Sequence, residues 1–290
     1  MKKIKILIPV YNDWQSVFKL LKNINSEVST LECEFSVIIV NDASTESKPE
    51  LSADLNNLRS VQIINMKENR GHARCIAAGL KYISEKEDFD YVIPMDGDGE
   101  DRFEELTLIF NKSNENPNKV ITADRVKRSE GFLFKLCYLA HKFLTFVFTG
   151  QSIKFGNYTC LPKFTVSQMI KEAATWSSFS GSLSKIVNNR LSIPSIRGSR
   201  YFGPSKMGFL GLIKHSLSII AVFRTTVLIR SIIFLAVYIF LVLQHISVVT
   251  LIPVALIIVM IFSVFALSGR ENITELNGSL ENINNIENLK

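Results

Sequence analysis

A long apolar run near the carboxyl end constrains the fold of this chain more than any other feature. Nearly every side chain between Ser231 and Leu267 is apolar, with one polar interruption at 244–245. A helix that crosses a bilayer needs about 20 apolar residues, so the run is too long for one crossing and fits two. A buried helical hairpin in a soluble core is the alternative, but the lack of a polar face argues against it. We predict crossings over Thr226–Leu243 and Val248–Leu267, joined by a tight turn at 244–247.

The charges around this run predict its orientation. Arg224 and Arg230 flank the entrance of the first crossing, Arg270 follows the second, and the turn contains no Lys or Arg. The positive-inside rule therefore places both ends in the cytoplasm. Four cysteines lie far apart, without metal-binding or disulfide spacing, which suits a reducing compartment. We expect a multi-pass protein of the cell membrane, with its globular part in the cytoplasm.

The excess positive charge is local. The net charge is +6, yet residues 1–172 are neutral, and residues 173–269 contain eight basic and no acidic side chains. This excludes a uniformly basic nucleic-acid binder and favours a domain seated on anionic membrane lipid. Residues 206–224 are predicted to form an amphipathic interfacial helix. The polar cytoplasmic tail, 269–290, spaces its apolar residues by three or four, so we expect either an assembly helix of a homo-oligomer or a frayed end.

The first 125 residues alternate between strand and helix patterns. Mostly apolar runs at Ile4–Val10, Phe35–Val40, Val61–Asn65 and Tyr91–Met95 are typical of strands that are covered on both faces. Helical stripes separate several of these runs, so the sequence predicts an α/β fold with a mostly parallel sheet. In such sheets, ligands bind at the carboxyl ends of the strands.

The strongest local signal follows the last of these strands. Asp96, Asp98, Glu100 and Asp101 place four carboxylates within six residues. In an extended segment, residues i and i+2 point the same way, so Asp96, Asp98 and Glu100 could converge on one hard cation. Mg²⁺ or Mn²⁺ bridging a nucleotide diphosphate fits this pattern. The alternative is an acidic turn that caps a helix beginning near Glu104.

Four short motifs follow one another in the chain: Pro9-Val-Tyr11-Asn-Asp13, Asn41-Asp42-Ala-Ser, Asn69-Arg-Gly71 and Asp96-Gly-Asp98. Their order resembles the GT-A (Rossmann-like) domain of family 2 glycosyltransferases. The later runs Arg125-Val-Lys-Arg128, Gly156-Asn157-Tyr158 and Arg200-Tyr-Phe-Gly-Pro-Ser-Lys206, with the predicted hairpin, resemble the polyprenyl-phosphate branch, which is similar to dolichol-phosphate-mannose synthase. The similarity covers about residues 4–268. It implies a catalytic domain over 1–205, the interfacial helix over 206–224, the hairpin over 225–268 and the tail over 269–290.

The resemblance also implies a role for individual residues. Four residues correspond to positions that hold the nucleotide, and Asp96, Gly97 and Asp98 correspond to the segment that meets the diphosphate and the metal. Glu100 stands where the family usually has glutamine, beside the metal. The basic positions correspond to residues that face the phosphates of donor and acceptor. The alternative interpretation is that these side chains only form a basic surface exposed to solvent. The nucleotide positions are Pro9, Tyr11, Asp13 and Asp42; the basic ones are Arg125, Arg128, Lys135 and Lys206, of which Arg125 and Arg128 are also catalytic candidates.

One residue departs from the pattern of several bacterial relatives. They carry aspartate, a proposed base, where this chain has Asn157 on the acceptor side. An amide cannot accept a proton from the acceptor. A polyprenyl phosphate avoids the difficulty because it is already an anion near neutral pH, with a second pKa of about 6. Otherwise the acceptor is a sugar hydroxyl, and Asp101 or another carboxylate acts as the base.

We therefore predict an inverting, metal-dependent transferase that acts at the cytoplasmic face of the membrane. It moves a hexose from a nucleotide sugar, which we expect to be UDP-linked, to undecaprenyl phosphate or another polyprenyl phosphate. The first alternative is transfer to a lipid-linked saccharide in surface-polysaccharide synthesis. The second is a membrane-anchored binding protein without turnover. A transporter is excluded because the two short spans carry no charge in their membrane interior, Arg230 being at the entrance.

Overall fold

The computed structural model describes residues 1–51, 54–127, 132–204 and 208–290. Its centre is an eight-stranded sheet with the order β7-β5-β6-β4-β1-β2-β3-β8. Four strands at the centre are parallel, and most of their side chains are buried because both faces of the sheet are covered. This confirms the predicted α/β fold. The four strands are β1 (Lys3–Val10), β2 (Glu34–Asn41), β3 (Ser60–Met66) and β4 (Tyr91–Pro94).

The remaining strands extend the sheet on both sides. β6 (Phe155–Pro162) is antiparallel to β4 and to β5 (Ile121–Lys127), and β7 (Leu191–Ile196) is parallel to β5. One face of the sheet packs against α1 (Trp14–Glu27) and α3 (Glu105–Glu115). The other packs against the helices that follow β3 and β6, which are α2 (His72–Lys86), α5 (Lys163–Met169) and α6 (Phe179–Ile186).

Several helices are mostly apolar. α4 (Phe132–Thr149) lies between β5 and β6 in the chain, whereas α7 (Phe209–Ala221), α8 (Arg224–Val242) and α9 (Val248–Ser268) follow the sheet domain. α8 and α9 are long and apolar enough to cross a membrane, and only 11% of the most apolar window of each is buried. The burial expected of a hairpin inside a soluble core is therefore not seen in the described residues. Ser247 caps α9 by accepting a hydrogen bond from the Thr250 amide, so the turn falls close to the predicted one.

The last residues differ from both structures predicted for the tail. A short helix, α10 (Ile273–Asn277), is followed by β8 (Ile283–Asn288), which pairs antiparallel with β3 at the edge of the sheet. The expectation of an assembly helix or a frayed end is therefore wrong. Side-chain amides stabilise the pairing, because Asn65 donates to Asn285 at 2.7 Å and Gln62 donates to Asn288 at 3.2 Å. The domain boundaries and a homo-oligomer stay predictions.

Candidate functional site

The polar segments after β1, β2, β3 and β4 come together at the carboxyl edge of the sheet. Asn12 connects the first two, because its amide donates to Ser44 Oγ at 2.9 Å and its Oδ1 accepts from the Thr45 amide at 2.8 Å. Asp42 connects the second and third. Its two carboxylate oxygens accept from the backbone amides of Arg70 and Gly71, each at 2.8 Å. These contacts hold the loops after β1, β2 and β3 together at one edge of the sheet.

The predicted nucleotide-binding residues line this edge. Pro9 is buried at the end of β1, and Tyr11 just beyond it is 43% exposed. Gly97 lies against β1 and α1, where a Cβ atom would approach Val17 Cγ2 to 2.7 Å. A larger residue at 97 would therefore push the acidic turn away from the sheet. Their assignment to the nucleotide stays a prediction, as does that of Asp42, which is buried among backbone amides.

The acidic turn after β4 is held by its own backbone. Asp101 Oδ2 accepts from the Asp96 amide at 2.9 Å, and Asp98 Oδ1 accepts from the Glu100 amide at 2.9 Å. Gly99 takes φ +90°, a conformation that favours glycine. Asp101 is only 6% exposed, so in this conformation its carboxylate faces the turn rather than solvent. α3 begins at Glu105 without a side-chain cap, so the described contacts do not support the alternative of a helix-capping turn.

Two arginines from the segment after β7 neutralise this turn. Arg200 lies between two carboxylates, donating to Asp98 Oδ2 at 2.5 Å and to Asp13 Oδ2 at 2.7 Å. Arg197 forms an ion pair with Glu100. All five side chains are 15–20% exposed, so these pairs are shielded from water far more than surface salt bridges are.

Asp96 has a different set of partners. Asn157 Nδ2 donates to Asp96 Oδ1 at 3.0 Å and lies 2.8 Å from His72 Nε2, which is itself 3.3 Å from Asp96 Oδ1. The structure thus brings Asn157, an acceptor-side residue by prediction, into contact with the first carboxylate of the acidic turn. His72 is the first residue of α2 and is 44% exposed.

These environments separate the pKa values of the carboxylates. Burial raises the pKa of Asp101 to about 7, with a further contribution from the charge of Asp96. Burial and the charges of Asp96 and Glu100 raise the pKa of Asp98 to about 6, although Arg200 opposes the rise. Burial also acts on Asp96, but His72, Asn157 and Arg125 outweigh it and lower the pKa of Asp96. Burial opposes the charged form of His72 too, yet Asp96 raises the pKa of His72.

Arg125 is the one predicted phosphate-facing residue whose side chain the structure describes, and it lies near the acidic turn. The Arg125 guanidinium lies over Gly156, where a Cβ atom would come within 2.5 Å of Nη2, and its charge acts on both Asp96 and Asp101. Lys135 lies on α4, but its side chain is outside the described residues, as are Arg128 and Lys206. The roles of these four residues stay predictions.

The carboxylates suit a divalent cation that is shared with a ligand. Mg²⁺ is usually bound by one or two carboxylates together with substrate phosphates. Asp96 and Asp98 supply such oxygens, and the guanidinium between Asp13 and Asp98 shows that the site stabilises positive charge. Across the described ranges, no group of three or more His, Cys, Asp or Glu side chains is arranged to hold a metal ion. The residues therefore fit a cation whose other ligands come from a diphosphate, and Asp96, Asp98 and Glu100 as its ligands stay a prediction.

Sequence reasoning assigned no role to His72, Arg197 or Arg200. Arg200 opens a run that carries the family resemblance, which was the only signal for it. His72 and Arg197 had none, because their partners lie 24 and 97 positions away in the chain.

Comparisons with known proteins agree with this geometry. A sequence model of the family described as Glycosyl transferase family 2 matches residues 5–166, more than half of the chain. The chain belongs to this family, and it is a glycosyltransferase with the GT-A fold.

Solved structures share the fold at low sequence identity. Glucosyl-3-phosphoglycerate synthase from Mycobacterium tuberculosis, in complex with Mn²⁺, UDP-glucose and phosphoglyceric acid, is 12% identical, with a TM-score of 0.54 over 78% of this chain and 80% of that one. Mannosyl-3-phosphoglycerate synthase from Rubrobacter xylanophilus is 13% identical, with a TM-score of 0.56 over 76% and 72%. TarS 1–349 from S. aureus, in complex with UDP-GlcNAc, is 15% identical, with a TM-score of 0.51 over 77% and 66%.

Proposed function

We propose that this protein moves a hexose from a UDP-linked sugar to a polyprenyl phosphate, such as undecaprenyl phosphate, at the cytoplasmic face of the cell membrane. The observation that carries the proposal is the attachment of the site to two helices of membrane-spanning length and composition. The chain runs from the arginine pair at the acidic turn into α7 and α8, so a lipid-borne acceptor is the class of substrate that this arrangement suits.

The apolar surface extends beyond the hairpin onto the sheet domain. α4 exposes Phe143 (64%) and Phe146 (59%), and α7 exposes Leu210 (80%). Arg230 of α8 donates to the Val147 carbonyl at 2.9 Å, which joins α4 to the first helix of the hairpin. Exposed apolar patches on several adjoining helices are typical of a membrane-binding surface. These contacts support a membrane close to the entrance of the site.

Binding of the donor is attributed to the carboxyl edge of the sheet. Two of the structural relatives are in complex with UDP-sugars, which favours UDP, and one of these two is also in complex with Mn²⁺. In this chain, Asp96 and Asp98 would hold the cation, which when bound supplies positive charge to the diphosphate. Mg²⁺ and Mn²⁺ both suit carboxylate ligands. Arg125, half-buried beside Asp96, adds a fixed positive charge near the reacting groups.

The proposed reaction is an in-line displacement with inversion. An oxygen of the lipid phosphate attacks the anomeric carbon, the new carbon–oxygen bond forms, and the bond to the diphosphate breaks with its electron pair leaving on UDP. A phosphate anion needs positioning rather than deprotonation. The Asn157 amide, which donates to Asp96, fits such an acceptor because the reaction requires no base at that position.

Mass spectrometry of the lipid product tests the proposal. The full-length protein in membranes is incubated with a panel of nucleotide sugars and undecaprenyl phosphate, and Asp98→Asn serves as the matched inactive control. We expect one hexose to be added to the lipid phosphate. A sugar found only on a lipid-linked saccharide would show that the saccharide, and not the lipid phosphate, is the acceptor. The absence of both transfer and donor hydrolysis would favour a binding protein.

A further inference from the structure

A short segment after β7 lies across the acidic turn, and we call residues 197–202 the strap. Two backbone hydrogen bonds fix it: the Gly198 amide donates to the Glu100 carbonyl at 2.8 Å, and the Tyr201 amide donates to the Asp98 carbonyl at 2.9 Å. The approach is close, because a Cβ atom on Gly198 would come within 2.7 Å of the Gly99 carbonyl oxygen. The strap therefore covers the turn that carries the candidate cation ligands.

Side chains from α1 hold the outer side of the strap. Asn23 donates to the Tyr201 hydroxyl at 2.9 Å, and Lys19 Nζ lies 4.7 Å from the centre of the Tyr201 ring. The ring itself rests on Gly99, where a Cβ atom would approach it to 2.7 Å. The closed position of the strap thus depends on contacts that are separate from the carboxylates.

The strap places its cations where a metal ion would have to bind. Arg200 occupies Asp98 and bridges it to Asp13, and Arg197 pairs with Glu100. The other carboxylate oxygen of Asp98, Oδ1, accepts a hydrogen bond from the Glu100 amide. A cation that binds Asp98 would lie next to the Arg200 guanidinium, so the two positive charges repel each other and compete for this carboxylate.

We propose that the strap is an autoinhibitory latch: its arginines and the divalent cation of the donor complex compete for the same carboxylates, and binding of the cation with a nucleoside diphosphate opens the latch. A ligand shifts such an equilibrium only by its difference in affinity for the two states. The bare cation meets a closed latch and binds weakly. A diphosphate adds its own ligands to the cation and offers the released Arg200 an anionic partner. This inference rests on the metal-dependent donor site of the proposed function.

Titration of the protein with Mn²⁺ alone, followed by the electron paramagnetic resonance signal of free Mn²⁺, tests the competition without any sugar transfer. We expect Arg200→Gln to bind Mn²⁺ at least ten-fold more tightly than the wild type. Arg102→Gln is the matched control, because it removes the same charge from the same turn, where Arg102 contacts only the exposed Glu104 among the ion pairs described. An affinity in Arg200→Gln that is equal to or weaker than that of wild type, or a gain matched by Arg102→Gln, would overturn the latch.

A second variant opens the strap without changing any charge. Tyr201→Phe removes the hydrogen bond from Asn23 and leaves every carboxylate and arginine in place. The loss of one such bond is expected to tighten Mn²⁺ binding about two- to five-fold, and unchanged binding in this folded variant would also contradict the proposal. The two hypotheses fail in different ways. If the variants bind Mn²⁺ more tightly but no lipid product forms, the proposed acceptor is refuted and the latch is supported. If the wild type transfers sugar to the lipid but the variants bind Mn²⁺ as the wild type does, the latch is refuted and the acceptor is supported.

Discussion

Replacement of Asn157 by aspartate tests the acceptor and the geometry together. Asn157 Nδ2 donates to Asp96 Oδ1 at 3.0 Å, so an aspartate would put two carboxylate oxygens at about that separation. Two unit charges at 3.0 Å repel by about 332/(20 × 3.0), or about 5.5 kcal/mol, at an effective dielectric of about 20. Asp96 is 21% exposed, and the new side chain can rotate away from it. A quarter of the repulsion, about 1.4 kcal/mol, already corresponds to a ten-fold change in rate.

We therefore expect Asn157→Asp to slow transfer to undecaprenyl phosphate ten-fold or more. Asn157→Ala is the control, because it removes the same hydrogen bond without adding a charge, and it should lose less activity. Initial rates are measured over a range of lipid concentrations at saturating donor, and then over a range of donor concentrations. An Asn157→Asp enzyme as fast as the wild type would refute the electrostatic reasoning. A faster one would favour a sugar hydroxyl as the nucleophile, since the new carboxylate could then act as a base.

Three further predictions concern the metal, the pH dependence and the topology. Asp98→Asn should nearly abolish transfer in limiting Mn²⁺ with little loss of thermal stability, and turnover at the wild-type rate would show that the metal site is misassigned. Asp101→Asn should raise the melting temperature at pH 8 by about 2–4 °C for each 1 kcal/mol gained, and much less at pH 5. The effect grows with pH because the folded-state pKa of Asp101, about 7, exceeds its ordinary value, so the folded state loses stability as pH rises towards 7. An equal rise in melting temperature at both pH values would contradict this prediction. A cysteine at Gln244 should be labelled from outside intact cells, and one at the exposed Asn284 only after permeabilisation; labelling of both from one side would refute the hairpin.

The central strands could be predicted because their signal is local. A strand that is covered on both faces is mostly apolar, and β1 and β2 show this in the runs Ile6–Val10 and Val37–Val40. The meeting of Asp42 with the turn at Gly71 then follows, because the carboxyl ends of neighbouring parallel strands share one edge of the sheet. The long apolar helices could be predicted as well, because the length and composition of an apolar run are local properties of the sequence.

The tail and the strap could not be predicted because their signals are distant in sequence. β8 is rich in asparagine and has apolar residues at helical spacing, so its own residues do not favour a strand. It forms one because the edge of β3 offers unpaired backbone groups and matching amides at Gln62 and Asn65. Arg200 likewise meets Asp13 across 187 positions. Local patterns contain no information about such partners.

The return of the chain to its own sheet restricts how the apolar helices can lie in a membrane. The chain leaves the sheet domain through α7, and it comes back as β8, which forms hydrogen bonds with β3. A chain that returns to the side it left must cross the membrane an even number of times. A single crossing by α8 or α9 would put β8 on the opposite side from β3, and the pairing between Ile64 and Ile286 could not form. The sheet therefore requires that α8 and α9 cross a membrane together or not at all, whereas the proposed cytoplasmic orientation rests on Arg224, Arg230 and Arg270 alone.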